Sequence, residues 1–544
     1  MSAFTATGRL TRLALRRDRL QLPVWILSTT LLAAFSISAT NEQYPTDADR
    51  IAILRTAVDT PALLMFRAAP TGASSGAMAM FQILAFLAVL AAFMSTLAVV
   101  RHTRQNEETG RTEMIGATVV GRLAGLTAAL LVTVIANAVL AVLLALTLVG
   151  YGEPAPGAVA AGLAVGAAGL VFAAVAAVAA QITQTARGAN GIAAAAIGAA
   201  YLLRGLGDAF GEVQPAGYTI TSAWPSWLSP IGWTSQVRPF TGDRWWVLGL
   251  SLVFLVAGVG AAFVLTTHRD VGQGLIAARP GPATAAPTLL SPLGLAWRLQ
   301  RGTLLGWAVT VTVLSLAIGS IGNAVEQGFA DNERAAETIG SLSGADGAGS
   351  LVDSFMAAMM AIIGAMVAGY LVQALLRLRT EEASGRAEAV LATATSRSRW
   401  LGSHLFVVVA GALALLGLAG LSVGLVYGAS TGRVGEQVVD LSRAALVQLP
   451  SALILAGFAV AAFGLVPRLA VGLGWLGFTL SLVLGQLGGL LGLPEAVRDI
   501  SPFSHVPALP AAEAAVTPLL VMSAVALALA VAGLVLFRRR NLAT

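Results

Sequence analysis

The stretch RQNEETGRTE, Arg104–Glu113, places five charges and a glycine in ten residues of a 544-residue chain that is 57% hydrophobic and only 11% charged. Reading outward from it, the pattern returns. In RLRTEEASGRAEAVLATATSR, which starts at Arg377, the residues Arg104, Glu107, Gly110, Arg111, Glu113, Ala117, Thr118 and Arg122 recur as Arg379, Glu382, Gly385, Arg386, Glu388, Ala392, Thr393 and Arg397, each 275 positions later. Eight identities in one register mark an internal duplication. Arg16, Arg19 and Trp25 return 282 positions later as Arg298, Arg301 and Trp307, Ser229-Pro230 returns as Ser501-Pro502, and Arg269 returns as Arg540.

A mean hydropathy of +0.80 with so few charges excludes a soluble globular domain, whose charged fraction is about a quarter. Twelve apolar runs are each long enough to cross about 30 Å of hydrocarbon. They cover 23–40, 78–100, 123–149, 157–182, 190–206, 246–266, 304–322, 355–376, 401–427, 445–466, 469–492 and 516–536. The first follows five arginines as a signal peptide would, but with further spans behind it, it reads as a retained span. The expected architecture is an all-α integral membrane protein of twelve transmembrane helices, built as two tandem six-helix halves with pseudo-twofold symmetry. Residues 1–271 and 295–544 form the halves, and a cytoplasmic Pro/Ala/Gly-rich linker, 272–294, joins them.

Charge sets the orientation. The side holding both termini carries 23 arginines against 8 acids, and the other side 10 arginines against 19 acids, so the positive-inside rule puts both termini in the cytoplasm of a multi-pass cell-membrane protein. The basic balance therefore reports topology, and no aromatic-interleaved basic patch suggests nucleic acid. Each half opens with an amphipathic basic segment, ATGRLTRLALRRDRLQL and LGLAWRLQRGTLLGW, suited to a helix on the cytoplasmic interface.

Several chemistries lack their residues. There is no cysteine, and every one of the 33 basic residues is arginine, so neither thiolate chemistry nor the lysine of a phosphate-binding loop is present. His102, His268, His404 and His505 form no metal-ligand spacing, and no nucleophile elbow occurs, so no catalytic residue, metal or cofactor is expected on this chain. Acids are missing from the span centres, which disfavours ion coupling. Arg204 lies near the outer end of the fifth span, where snorkelling or a place on a substrate pathway would account for it. The second and eighth spans lead into the charged loops and carry Met78, Phe81, Phe86, Phe93 and Met94, and Met356, Met359, Met360, Met366 and Tyr370. Such side chains suit the wall of a pathway for lipophilic cargo, and ordinary bundle packing uses the same ones.

Read as a helix, Arg104, Glu107 and Arg111 form one charged stripe in a cytoplasmic loop, a rigid knob for another protein to grip. The R-x-x-E-x-x-G-R-x-E loop resembles that of permease subunits of ABC exporters of the ABC-2 type. The six-span halves, the basic N-terminal helix and the Ser-Pro stretches before the sixth and twelfth spans resemble them too. The likeness is greatest to the fused twelve-span drug and tetronasin-type efflux permeases of actinobacteria. It implies that Arg104, Glu107, Gly110, Arg111, Glu113 and Arg122, with Arg379, Glu382, Gly385, Arg386, Glu388 and Arg397, form coupling helices on two copies of a separate ABC ATPase subunit. ATP and Mg would bind to that partner, and lipophilic drugs or antibiotics would be exported. The competing readings are a secondary drug transporter of the major facilitator type, with two six-span halves and loops in similar places, and a polytopic membrane enzyme.

Overall fold

The computed structural model describes residues 2–276, 281, 283–329, 351–486, 488, 493–512 and 515–542. They divide into two compact units, Met1–Gly281 and Pro282–Thr544. Apart from one antiparallel pair, β1 (Glu212–Val213) and β2 (Ile220–Thr221), the regular structure among them is helical. Among the described residues eleven helices are long and apolar enough to cross a membrane, with Val434–Leu465 counted as one. Helices apolar all round satisfy their backbone internally, which is what a bilayer demands of a spanning segment. The chain is a multi-pass integral membrane protein.

The first unit starts with the amphipathic α1 (Thr7–Arg17) and the first long apolar helix, α2 (Gln21–Gln43). They stay separate because Pro23 has no amide to offer the carbonyl four residues back. Next come α3 (Asp47–Val58), closed by a Thr46–Asp49 capping box, α4 (Pro61–Phe66) and α5 (Ser75–His102). The repeated loop holds α6 (Arg104–Glu108) and α7 (Arg111–Gly116). After it run α8 (Ala124–Gly150), α9 (Ala155–Ile182) and α10 (Ala186–Ala209). The β1–β2 hairpin, a 3-10 turn at Trp224–Leu228 and α11 (Pro230–Gln236) lead to α12 (Val247–Thr267). Backbones approach closely where side chains are small: a Cβ on Gly162 of α9 would lie 2.3 Å from the Ala141 carbonyl oxygen of α8.

The second unit comprises α13 (Pro292–Phe329), α14 (Leu351–Ala383), α15 (Arg386–Leu391), α16 (Arg397–Thr431), α17 (Val434–Leu446), α18 (Leu449–Leu465), α19 (Ala470–Gln486), α20 (Glu495–Arg498) and α21 (Val516–Arg539). Three expectations change here. The interfacial segment and first span fuse into α13, because no proline interrupts the chain after Pro292. The run 445–466 is preceded by a separate amphipathic helix, α17, and restarts as α18 with Pro450 in its first turn. The run 469–492 yields α19, seventeen residues and shorter than a full crossing. Residues 487 and 489–492 of that run, and 330–350 of the long connection before α14, lie outside the described residues. At the start of the expected linker the Leu275 and Ile276 amides donate to the Gln181 and Ile182 carbonyls at 3.0 Å.

Candidate functional site

The repeated loop has the same bend in both units. Gly110 (φ 71°) and Gly385 (φ 72°) are left-handed, a conformation that a Cβ makes costly, and each delivers the chain into a six-residue helix, α7 or α15. The bend separates Glu107 from Arg111, so the single charged stripe expected from the sequence does not form. Upstream of the glycines the charges turn inward: Arg104 is 0%, Glu382 2% and Glu381 5% exposed. Downstream, Arg111, Glu113, Arg386 and Glu388 face solvent.

The inward charges close a clasp on the end of each unit's last long helix. Glu107 accepts from Arg104 Nη1 at 2.7 Å and from Arg269, just past α12, at 2.6 and 2.9 Å. Arg540, just past α21, repeats the fork on Glu382 at 2.6 and 2.9 Å, with Arg379 at 3.8 Å. A planar guanidinium matches a carboxylate in this two-bonded way. The second grip is as regular. Arg122 Nη2 donates to the carbonyls of Thr266, Thr267 and Arg269 at 3.1 Å each, while Arg397 Nη1 donates to those of Phe537 and Arg538 at 3.1 and 3.2 Å and to that of Arg540. Carbonyls at a helix C-terminus lack intrahelical donors and sit at the negative end of the dipole, so a cation there satisfies both. Arg269 and Arg540 stood in the sequence only as landmarks; their recurrence close to the loop's own spacing was the signal of this role.

The amphipathic helix is tied to the same place. Arg17 Nη1 donates to Asn106 Oδ1 at 2.9 Å, and the Asp18 carboxylate meets His102 Nε2 at 2.6 Å and Arg101 at 3.0 Å. Burial pushes the Asp18 carboxyl up, but the His102 hydrogen bond and charge, with Arg101, outweigh it and hold the group below the usual carboxylate range. In the second unit Gln300, 282 positions after Asp18, makes a neutral link instead, donating to the Ala374 carbonyl at 2.8 Å.

Beneath the two short helices the units differ. Ala387 of α15 is buried, and Val390 and Leu391 pack against the core of the second unit. By contrast, α7 buries no residue and stands over a cavity of about 440 Å³, walled by α1, α7, the start of α8 and the end of α12. The 275 register explains the void: Gly116, Gly125 and Ala129 stand where the second unit has Leu391, Trp400 and His404. Thr266 likewise corresponds to Phe537, each giving its carbonyl to the clasp arginine. Trp400, Phe537 and Phe463 fill the second unit's version as an aromatic plug, with ring centroids 5.7 and 5.2 Å apart. A Cβ built on Gly116 or Gly125 meets nothing within 4 Å.

The outward arginines differ as well. Glu381 donates no freedom to Arg386: it accepts from Arg386 Nε at 2.7 Å, and that hydrogen bond raises the Arg386 pKa. Asn106 takes the place of Glu381 in the first unit, and among the described residues no carboxylate lies within ion-pair distance of Arg111.

Arg204 does not snorkel. It is fully buried, donating to the carbonyls of Leu64 at 3.2 Å, Met65 at 3.0 Å and Arg67 at the end of α4, and pairing with Asp208 at 3.3 Å. Met78, Phe81 and Met94 of α5 and Met356, Met360 and Tyr370 of α14 are buried, whereas Phe86, Phe93, Met359 and Met366 are half-buried. Among the described residues no group of three His, Asp or Glu side chains could hold a metal ion.

Residues 289–538 match the family described as the C-terminal domain of the multidrug efflux system permease Rv1217c. Over 541 residues, 99% of this chain and 96% of the relative, the chain is 39% identical to the multidrug efflux system permease protein Rv1217c of Mycobacterium tuberculosis (strain ATCC 25618 / H37Rv).

Proposed function

The chain belongs to the Rv1217c family of actinobacterial multidrug efflux permeases, and on that premise we propose that it is the membrane subunit of an ATP-driven ABC exporter of lipophilic drugs or antibiotics. In this reading twelve spans form two six-span halves with both termini in the cytoplasm. α7 and α15 are coupling helices, each received by one copy of a separate ATPase subunit that binds ATP and Mg. The observation that carries the reading is the pair of solvent-facing six-residue helices, each entered through a left-handed glycine and each clasped to the last long helix of its unit. A partner pressing on either helix acts directly on a span. The missing lysine supports hydrolysis elsewhere, because a phosphate-binding loop needs one.

Cargo would pass along α5 and α14, which run into the two loops. Phe86, Phe93, Met359 and Met366, half-buried and packed at the margins of the cores, are the least enclosed of the candidate side chains. Arg204, pinned by backbone carbonyls, would hold α10 to α4 beside that route. The test is purification from native membranes with any bound ATPase subunit counted, and transport of a hydrophobic fluorescent drug into inverted vesicles. Two ATPase copies per chain and ATP-dependent uptake are expected; one copy, ATPase activity in the isolated chain, or uptake driven by a proton gradient alone would reject the reading.

A further inference from the structure

We infer that the cavity beneath α7 is a binding site for an anionic membrane lipid, taking the phosphate head and the upper part of an acyl chain. The room is made by sequence. Where the second unit places Leu391, Trp400 and Phe537, the first has Gly116, Gly125 and Thr266; all three line the cavity, and a Cβ on either glycine would meet nothing within 4 Å.

The lining has two characters. Leu10, Leu13 and Leu126 present apolar surface, and Arg17 and Arg122 present guanidinium groups. Arg17 has one nitrogen engaged with Asn106, and Arg122 has one engaged with three carbonyls, so both keep N–H groups for a ligand. Glu107 is already neutralised by Arg104 and Arg269, which leaves Asp270 as the remaining carboxylate of the lining against two arginines. The excess is cationic. Burial, then the nearby Arg111 and Arg101, outweigh Asp18 and push the Arg17 guanidinium below its ordinary range.

A free inorganic anion would meet the arginines and leave the apolar wall wet, and a zwitterionic lipid would bring its own cation to them. An anionic lipid satisfies both surfaces, with charge-assisted hydrogen bonds to the phosphate and burial of the first methylenes. α1 forms one wall and carries Arg9, Arg12, Arg16 and Arg19 besides, the composition of a helix lying on an anionic leaflet. Which leaflet supplies the lipid rests on the sidedness proposed above; the site does not.

The experiment uses the full-length chain, delipidated in detergent without any ATPase, so that failure here leaves the exporter reading standing. Phosphatidylglycerol, phosphatidylcholine and inorganic phosphate are added back in turn, and native mass spectrometry counts what binds. One phosphatidylglycerol per chain is expected to bind, lost in Gly125→Trp, which rebuilds the plug, and weakened about tenfold or more in Arg17→Gln, the loss that follows from a charged hydrogen bond. Arg17→Gln lies at the cavity edge and keeps the test open should Gly125→Trp misfold. Equal retention of phosphatidylcholine, binding of inorganic phosphate alone, or phosphatidylglycerol retention untouched by Arg17→Gln would overturn the inference.

Discussion

The two copies of the repeated loop share their framework and differ in their footing. Both are entered through a left-handed glycine and clasped by a glutamate–arginine fork and an arginine on helix-end carbonyls. Yet α15 rests on a packed core and its first arginine is held by Glu381, while α7 rests over a cavity and its first arginine has no such neighbour among the described residues. Duplication has kept what holds the loop and has let what lies beneath it diverge.

The largest test of the shared part is the buried carboxylate. Removing one partner of a buried ion pair costs about 3–5 kcal/mol, so Glu107→Ala and Glu382→Ala should both lower the thermal midpoint followed by tryptophan fluorescence. Each deletion strands the guanidinium groups that face the carboxylate, Arg104 and Arg269 within 2.7 Å of Glu107 and Arg540 at 2.6 Å from Glu382. A midpoint unchanged by either substitution would remove that copy of the fork from what the two loops share.

Charge reversal of the outward side chains comes next. Arg111→Glu with Glu113→Arg should weaken capture of the proposed ATPase subunit in a pull-down by about 2–5 kcal/mol, the range for truncating a buried interfacial charge pair, while membrane level holds because exposed changes cost under about 0.5 kcal/mol. Arg386→Glu with Glu388→Arg should weaken it less, since Arg386 is already engaged by Glu381. A stronger loss from the second loop would invert the comparison.

Footing itself can be exchanged at smaller cost. Gly116→Leu copies Leu391 into the cavity and should stabilise the delipidated protein by about 0.5–2 kcal/mol, as cavity-filling changes do. A lowered midpoint would mean that the space beneath α7 does not accept what its counterpart holds.

The smallest effect is a pH dependence confined to one unit. Asp18 is held below the usual carboxylate range in the folded protein, so its contribution is present above its unfolded pKa and is lost as pH falls through the lower folded value. Asp18→Asn should flatten the fall of the midpoint on acidification below about pH 4, near the ordinary carboxylate pKa. Gln300→Ala should shift the midpoint by the same amount at every pH, because the amide does not titrate.

The duplication was legible because charge is scarce here, so any register that aligns eight landmarks stands out. Most span positions were legible for a related reason: long apolar runs compete with nothing. Three things were not. The stripe of Arg104, Glu107 and Arg111 assumed an unbroken helix, and only the backbone shows Gly110 turning left-handed between them. The partners of Arg104 and Glu107 lie far along the chain, at Ala180 and Arg269, where periodicity has no reach. The cavity was written in the register all along, as Gly125 against Trp400, but an eye searching for identities passes over the positions where the copies disagree.

The clasp has a mechanical meaning. Apolar surfaces in contact resist being pushed together and slide when drawn apart, whereas a guanidinium bonded to three carbonyls bears tension as well as compression. Arg122 and Arg397 therefore make each loop and the terminal turn behind it a rod rather than a bumper: drawn outward, the loop brings the end of α12 or α21 with it, and pressed inward, it drives that end back. On the proposed coupling role, a stroke transmitted through such a joint returns along the same path, with no separate spring to reset it.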